Sequence, residues 1–237
     1  MAEHIVKSYE NELAMLDRSV GQMGGLAEQL LGQAFEALEE RNPELAELAV
    51  ASDHLIDDLQ RGLEDQVIAM IARRQPMAND LRQILAVLKV AGDLERIGDL
   101  AKNIAKRAHA ISGVSHPKPL IVGLKHMYEL AAHGLKEALD AYAARDDRKA
   151  IEIWNDDQQI DALYNSLFRE LLTYMMEDPR NIGICTHLLF AAKNIERIGD
   201  HTTNIAETVH FLARGIPLTQ ERPKDDKTSS TLIQKIG

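Results

Sequence analysis

The chain has 237 residues, 45% hydrophobic and only 4% aromatic, with 27 Lys and Arg against 37 Asp and Glu and a formal net charge of −10. That length fits one large domain or two of about 110 residues, each able to bury a core. The acidity, with no Lys/Arg run to interrupt it, excludes a nucleic-acid binder; the lone Cys185 excludes an internal disulfide; and no apolar stretch approaches the length of an ordinary membrane span.

Met1-Ala2-Glu3-His4 shows no basic segment leading into an apolar one, so no signal peptide is expected and the chain reads as soluble and cytoplasmic. Ala, Leu, Ile, Glu, Lys and Arg dominate, residues that lose little freedom in a helix, while clusters of β-branched and aromatic residues are few. The expected class is all-α. Six helices follow in chain order, over 6–41, 43–73, 79–111, 119–145, 147–176 and 181–213. Asn42-Pro43 ends the first and Gln75-Pro76-Met77 the second, with Asn79 as a cap for the third. Ser112 through Pro119 is the strongest linker in the body of the chain. Asp146-Asp147 and Asp178-Pro179-Arg180-Asn181 mark the remaining turns, and the segment after Gly215 reads as a solvated, flexible tail.

The second three helices repeat the first three. Leu94-Glu95-Arg96-Ile97-Gly98-Asp99 returns as Ile195-Glu196-Arg197-Ile198-Gly199-Asp200, 101 positions on, and Asn103-Ile104-Ala105 as Asn204-Ile205-Ala206. Asp53 and Asp57 return as Asp157 and Asp161, 104 positions on, and Met23, Leu26, Ala27 and Leu31 as Met127, Leu130, Ala131 and Leu135. The offset changes at the second interhelical turn, where length varies freely. The organisation expected is a first three-helix bundle over 1–112, a linker over 113–118, a second bundle over 119–214 and a tail over 215–237.

Each repeat carries two acidic pairs at i, i+4 spacing, which puts both members on one helix face: Asp53 with Asp57 and Glu95 with Asp99, then Asp157 with Asp161 and Glu196 with Asp200. Counting outward from Pro76 brings Asp57 level with Glu95 and Asp53 level with Asp99 in an antiparallel hairpin. The same count from Pro179 aligns the second set. Four carboxylates at one level resist ionising together. They can pair with bases such as Arg96 and Arg197, spread into water, or hold cations. With no Cys in the set and no His shared by both halves, the ligand chemistry favours Mg²⁺, Mn²⁺ or iron over zinc. Asn103 and Asn204 lie near the same stripe, either supporting the ligands or facing solvent.

Arg74-Gln75-Pro76-Met77-Ala78-Asn79-Asp80-Leu81-Arg82 and Leu94-Glu95-Arg96-Ile97-Gly98-Asp99 resemble first-half signatures of the PhoU family. Glu177-Asp178-Pro179-Arg180-Asn181 and Lys193 through His201 resemble its second half. The resemblance, over roughly 8–214, implies tandem three-helix bundles and a regulator of phosphate signalling whose acidic motif pairs hold multinuclear metal clusters. Carried over by position, Asp53, Asp57, Glu95 and Asp99 form one site, and Asp157, Asp161, Glu196 and Asp200 the other. It further implies a non-enzymatic negative regulator of the phosphate-starvation response. Its partners would be the ATPase of the high-affinity phosphate ABC transporter and a sensor histidine kinase, met by peripheral recruitment to the membrane. A homodimer is also expected.

A di-metal enzyme is the competing reading, but its Glu-x-x-His motif occurs only once in register, at Glu207 and His210. A metal-free helical adaptor is another. No phosphate-cradling glycine loop supports a nucleotide site. Cys185, Trp154, Met70, Met175 and Met176 read as core residues, and Gly21, Gly24, Gly25 and Gly32 as a site of close packing or a kink in the first helix.

Overall fold

The computed structural model describes residues 2–115, 118–156 and 158–219. All regular structure among them is helical: α1 (Ala2–Glu40), α2 (Pro43–Ser52), α3 (His54–Arg74), α4 (Asn79–Ile111), α5 (Lys118–Ala144), α6 (Asp147–Asp156), α7 (Gln158–Glu177) and α8 (Ile182–Arg214). The six expected helices are present as rods. The second is broken at Asp53 into α2 and α3, and α6 and α7 lie on either side of Asp157, which is outside the described residues.

Local chemistry sets the ends. Asn42 accepts the Leu45 N–H at 3.0 Å, and Pro43 opens α2 where no N–H is needed. Gln75 turns left-handed at φ 48°, so its N–H reaches the Ile71 carbonyl at 3.0 Å and closes α3. Asp178 accepts the Arg180 N–H at 3.0 Å ahead of the 3₁₀ turn Pro179–Asn181. Gly215 closes α8 at φ 77°, a conformation glycine adopts without strain. Asn79 does not cap α4: it is the helix's first residue, preceded by Ala78 at φ 50°, which gives no side-chain cap.

The break at Asp53 was not expected, and its neighbours explain it. Ser52 Oγ donates to the Ala49 carbonyl at 3.0 Å, and His54 Nδ1 sits 2.6 Å from the Ala51 carbonyl. Both side chains compete with the helix's own N–H groups for those acceptors.

In the first repeat α1, α2, α3 and α4 pack together, and in the second α5, α6, α7 and α8. The repeats join through α4 against α8 and α1 against α5, both antiparallel pairs, and one continuous apolar core runs through both halves. Across α4–α8, Arg107 lies over the Phe190 ring at 4.7 Å and Lys89 over Phe211 at 5.3 Å. Across α1–α5, Phe35 stacks flat on Tyr128 at 4.3 Å, and Tyr142 donates to Asp17 at 2.9 Å.

Cys185, Trp154 and Met70 are buried, Trp154 also donating its Nε1–H to Glu207 at 2.9 Å. Met176, expected in the core, is 77% exposed: it ends α7 beside the turn and has no facing helix. The α1 glycines do not break the helix. A Cβ on Gly24 would meet the Leu139 side chain, Cδ2 at 2.7 Å, and Leu139 would have to shift to admit it, whereas Gly21 and Gly25 face open space.

Candidate functional site

The first acidic cluster forms where the α2–α3 break faces the middle of α4. Asp53 occupies the break and is only 5% exposed; Asp57 is in the first turn of α3; Glu95 and Asp99 project from α4. Gly98 permits the contact. A Cβ there would stand 2.8 Å from Ile56 Cδ1 and 3.4 Å from Asp53 Oδ1.

The register expected from the turn count is met. Burial raises the Glu95 pKa; the Arg96 charge opposes the rise, and the negative charges of Asp99, Asp57 and Asp53 add to it.

Two bases balance this cluster. Arg96 Nε lies 3.4 Å from Glu95 Oε2, with its Nη1 3.7 Å from Asp99 Oδ2, as the sequence allowed. The second was missed. Lys102, one turn past Asp99, donates from Nζ to Asp53 Oδ2 and, at 2.5 Å, to Asp99 Oδ1. Burial works against this ammonium's charge, but the bonds to Asp53 and Asp99 outweigh it and raise the Lys102 pKa. The signal was in the repeat alignment: position 102 is Lys in the first half, and its counterpart, 203, is Thr in the second.

The second cluster is built otherwise. Asp161, in the first turn of α7, is buried; Glu196 on α8 is 4% exposed; Asp200 is half-buried. Asp157, the remaining expected member, lies outside the described residues. Glu196 Oε1 accepts from Lys193 Nζ at 2.9 Å, while its buried Oε2 has no hydrogen-bond partner. Burial raises the Glu196 pKa; Lys193 opposes, and the charges of Asp200 and Asp161 add to the rise. Thr203 donates to the Gly199 carbonyl at 3.1 Å. A separate cavity of about 190 Å³ is lined by Gly134, Lys149, Asp156, Gln159, Gly199 and Thr203, and by none of Asp161, Glu196 and Asp200. Arg197, the counterpart of Arg96, is exposed.

Among the described residues, no three His, Cys, Asp or Glu side chains converge tightly enough to chelate an ion as they stand. Asn103 is exposed. Asn204 instead donates across the α4–α8 joint to Asp93 Oδ1 at 3.2 Å, which also lies 2.9 Å from His201 Nδ1. Glu207 and His210 are engaged by Trp154 and, at 2.5 Å, by Asp147.

Comparison with known proteins fits this repeated geometry. A model of the PhoU domain matches the chain twice, over residues 20–108 and 124–209. The chain belongs to the PhoU domain family. It is 53% identical over 227 residues to a phosphate-specific transport system accessory protein PhoU homolog of Rhizobium meliloti, covering 96% of each chain. A homolog of that description from Caulobacter vibrioides is 49% identical, with 97% of this chain and all of the relative covered. Among solved structures, PhoU from Pseudomonas aeruginosa superposes with a TM-score of 0.85 at 37% identity, over 88% of this chain and 100% of that one. The phosphate transport system regulatory protein PhoU from Streptococcus pneumoniae gives 0.82 at 29% identity, over 90% and 100%. Each matched PhoU segment contains one acidic cluster. No helix among the described residues is long and apolar enough to cross a membrane.

Proposed function

We propose that this PhoU-family chain is a cytoplasmic, metal-binding regulator that restrains phosphate uptake and the phosphate-starvation response. It acts by contact with the ATPase of the phosphate ABC transporter and with a sensor histidine kinase, recruited to the membrane by those partners. The regulatory part rests on the family and on relatives named as accessory proteins of phosphate transport.

The observation that carries metal binding is the buried, unpartnered Glu196 Oε2 beside Asp161 and Asp200. A buried carboxylate oxygen without a donor is costly, and a hard cation satisfies it. Asp161, Glu196 and Asp200, with Asp157 by position, would hold Mg²⁺, Mn²⁺ or iron; an all-oxygen set disfavours zinc. The ion supplies positive charge that lets α7 and α8 keep ionised carboxylates together.

An enzymatic role is disfavoured because the Glu207 and His210 side chains serve Trp154 and Asp147. A homodimer belongs to the proposal, and sedimentation of the full chain as a monomer would remove it.

The test is a chromosomal deletion read with a phosphate-starvation reporter at high phosphate. Derepression is expected, reproduced by Glu196→Ala with Asp200→Ala in a chain that still folds. A silent reporter in the deletion strain sinks the regulatory reading. A silent reporter only in the double variant sinks the link between metal and signal.

A further inference from the structure

We propose that the groove between α2 and α4 is a docking site where a partner protein seats an aromatic side chain flanked by a carboxylate. This deepens the protein-contact reading above and rests on it.

The second repeat fills a place that the first leaves open. Trp154 lies across the seam between α6 and α8, 4% exposed, and donates its Nε1–H to Glu207 at 2.9 Å. Asp147 closes the start of that seam by meeting His210 and Arg214. The repeat offsets put Val50 where Trp154 stands, Lys106 where Glu207 stands, His109 where His210 stands and Pro43 where Asp147 stands. The shorter valine does not bridge the seam. A groove of about 280 Å³ is left there, lined by Ala46, Glu47, Val50, Ala51, Lys106 and His109. A closed void of about 150 Å³ already holds a benzene ring, so this groove has room for the ring that its counterpart receives from within the chain.

The lining sets the chemistry of what enters. Ala46, Val50 and Ala51 offer an apolar floor, and an aromatic ring covers such a floor at little entropic cost. The polar complement is inverted between the repeats. Glu207 accepts from the indole, whereas a lysine can only donate. Lys106 is exposed and has no hydrogen bond or ion pair among the described residues. Glu47 is 72% exposed and meets His109 at 3.8 Å. The base standing at the position that grips the ring is therefore the one left for the incoming chain, and it selects a carboxylate beside the ring over an ammonium.

The experiment uses the full chain and a capped peptide with one tryptophan between two glutamates, read by amide chemical shifts. Shifts are expected at Ala46, Val50, Ala51 and Lys106, and none at Ala150 and Trp154. Leucine in place of the peptide's tryptophan weakens binding about tenfold, and lysines in place of its glutamates weaken it about threefold. Val50→Trp with Lys106→Glu copies the second repeat: the chain's own ring fills the groove, the peptide no longer binds, and the unfolding temperature rises. In the cell this double variant derepresses the phosphate-starvation reporter at high phosphate, as the deletion does. Should it fail to fold, Lys106→Glu alone, confined to an exposed side chain, carries both readouts by reversing the preference toward the lysine-flanked peptide and weakening repression.

Equal binding of the tryptophan and leucine peptides, or binding that ignores these substitutions, overturns the inference. So does a reporter that answers to the deletion and not to the groove variants, which leaves the regulatory reading standing. A double variant that converts a dimer into a monomer assigns the groove to a second copy of this chain and overturns the inference as well. A reporter silent in the deletion overturns the regulatory reading, and this inference with it.

Discussion

The two acidic clusters descend from one repeated pattern, yet they balance their charge differently. In the first, the ammonium of Lys102 ties Asp53 to Asp99, and Arg96 covers Glu95. In the second, Thr203 stands at that position, and the Glu196 carboxyl is buried with one oxygen unpaired. Repetition of carboxylates alone therefore does not repeat a site. What differs is where the bases stand: the first cluster has Lys102 one turn past the motif, and the second has Lys193 one turn before Glu196.

The largest effect should come from breaking the first cluster's bridge. Lys102→Met strands Asp53, 5% exposed, without its cation. Removing one partner of a largely buried pair costs about 2–4 kcal/mol once the 21% exposure of Lys102 is allowed for. Urea unfolding of metal-free protein at neutral pH should show that loss. Lys193→Met should cost less, because Lys193 is more exposed than Lys102 and Glu196 can take up a proton in response. Equal losses would mean that the two clusters are balanced alike.

Gly98→Ala comes next. Its Cβ would fall 2.8 Å from Ile56 Cδ1, and Ile56 is itself fully packed, so the Ile56 side chain must move off its place in the core or α3 and α4 must separate. Overpacking of this kind costs about 1–3 kcal/mol. It should also weaken the Lys102 bridge, because the Cβ enters beside Asp53 Oδ1. The measurement is a double-mutant cycle with Lys102→Met: full additivity would show that Gly98 serves packing only.

The second cluster should respond in the opposite direction when metal is absent. Burial holds the Glu196 pKa above the usual carboxylate range. A carboxyl whose folded pKa exceeds its unfolded one favours folding while protonated, so it takes stability away as pH rises from about 4 through the folded value. Glu196→Gln should therefore raise the stability of EDTA-treated protein at neutral pH, by on the order of 1 kcal/mol from relief of the unpaired buried acceptor. It should also flatten the decline with pH. Destabilisation at every pH would mean that the charge is already satisfied.

Much of this was legible in the sequence, for identifiable reasons. Helix periods, Pro43, Pro76 and Pro179, and the repeat offsets placed the six rods and levelled Asp53, Asp57, Glu95 and Asp99, because helical rise fixes register once the turns are known. The break at Asp53 was hidden because it arises from Ser52 and His54 bonding back to carbonyls, a competition that composition does not reveal. Lys102 was missed because attention to matching residues passes over the one that fails to match. Asn204 was read as either supporting the acidic stripe or facing solvent, but the packing of α8 on α4, a tertiary fact, turns it to Asp93. Met176 was placed in the core on residue type, although the end of α7 leaves it nothing to pack against.

The smallest expected effect lies at the entrance to each repeat's second rod, where the halves differ again. In the second repeat, Asp147 at the start of α6 accepts from Arg214 Nε at 2.6 Å and lies 2.5 Å from His210 Nδ1, tying α6 to the end of α8. In the first repeat, Pro43 stands at the corresponding position, and His109 only approaches Glu47 at 3.8 Å. Burial pushes the Asp147 pKa up, but Arg214 and His210 outweigh it and hold the carboxyl below its usual value. Its contribution is present above the unfolded carboxylate pKa and is lost as pH falls through the depressed folded one. Arg214 is largely exposed, so solvent screening keeps the effect of Asp147→Asn below about 1 kcal/mol. The variant should lose that increment at neutral pH and none in strong acid, with hydrogen exchange quickening at the start of α6 and not at the start of α2. Equal quickening at both would show that the tie holds the whole molecule together and not one repeat.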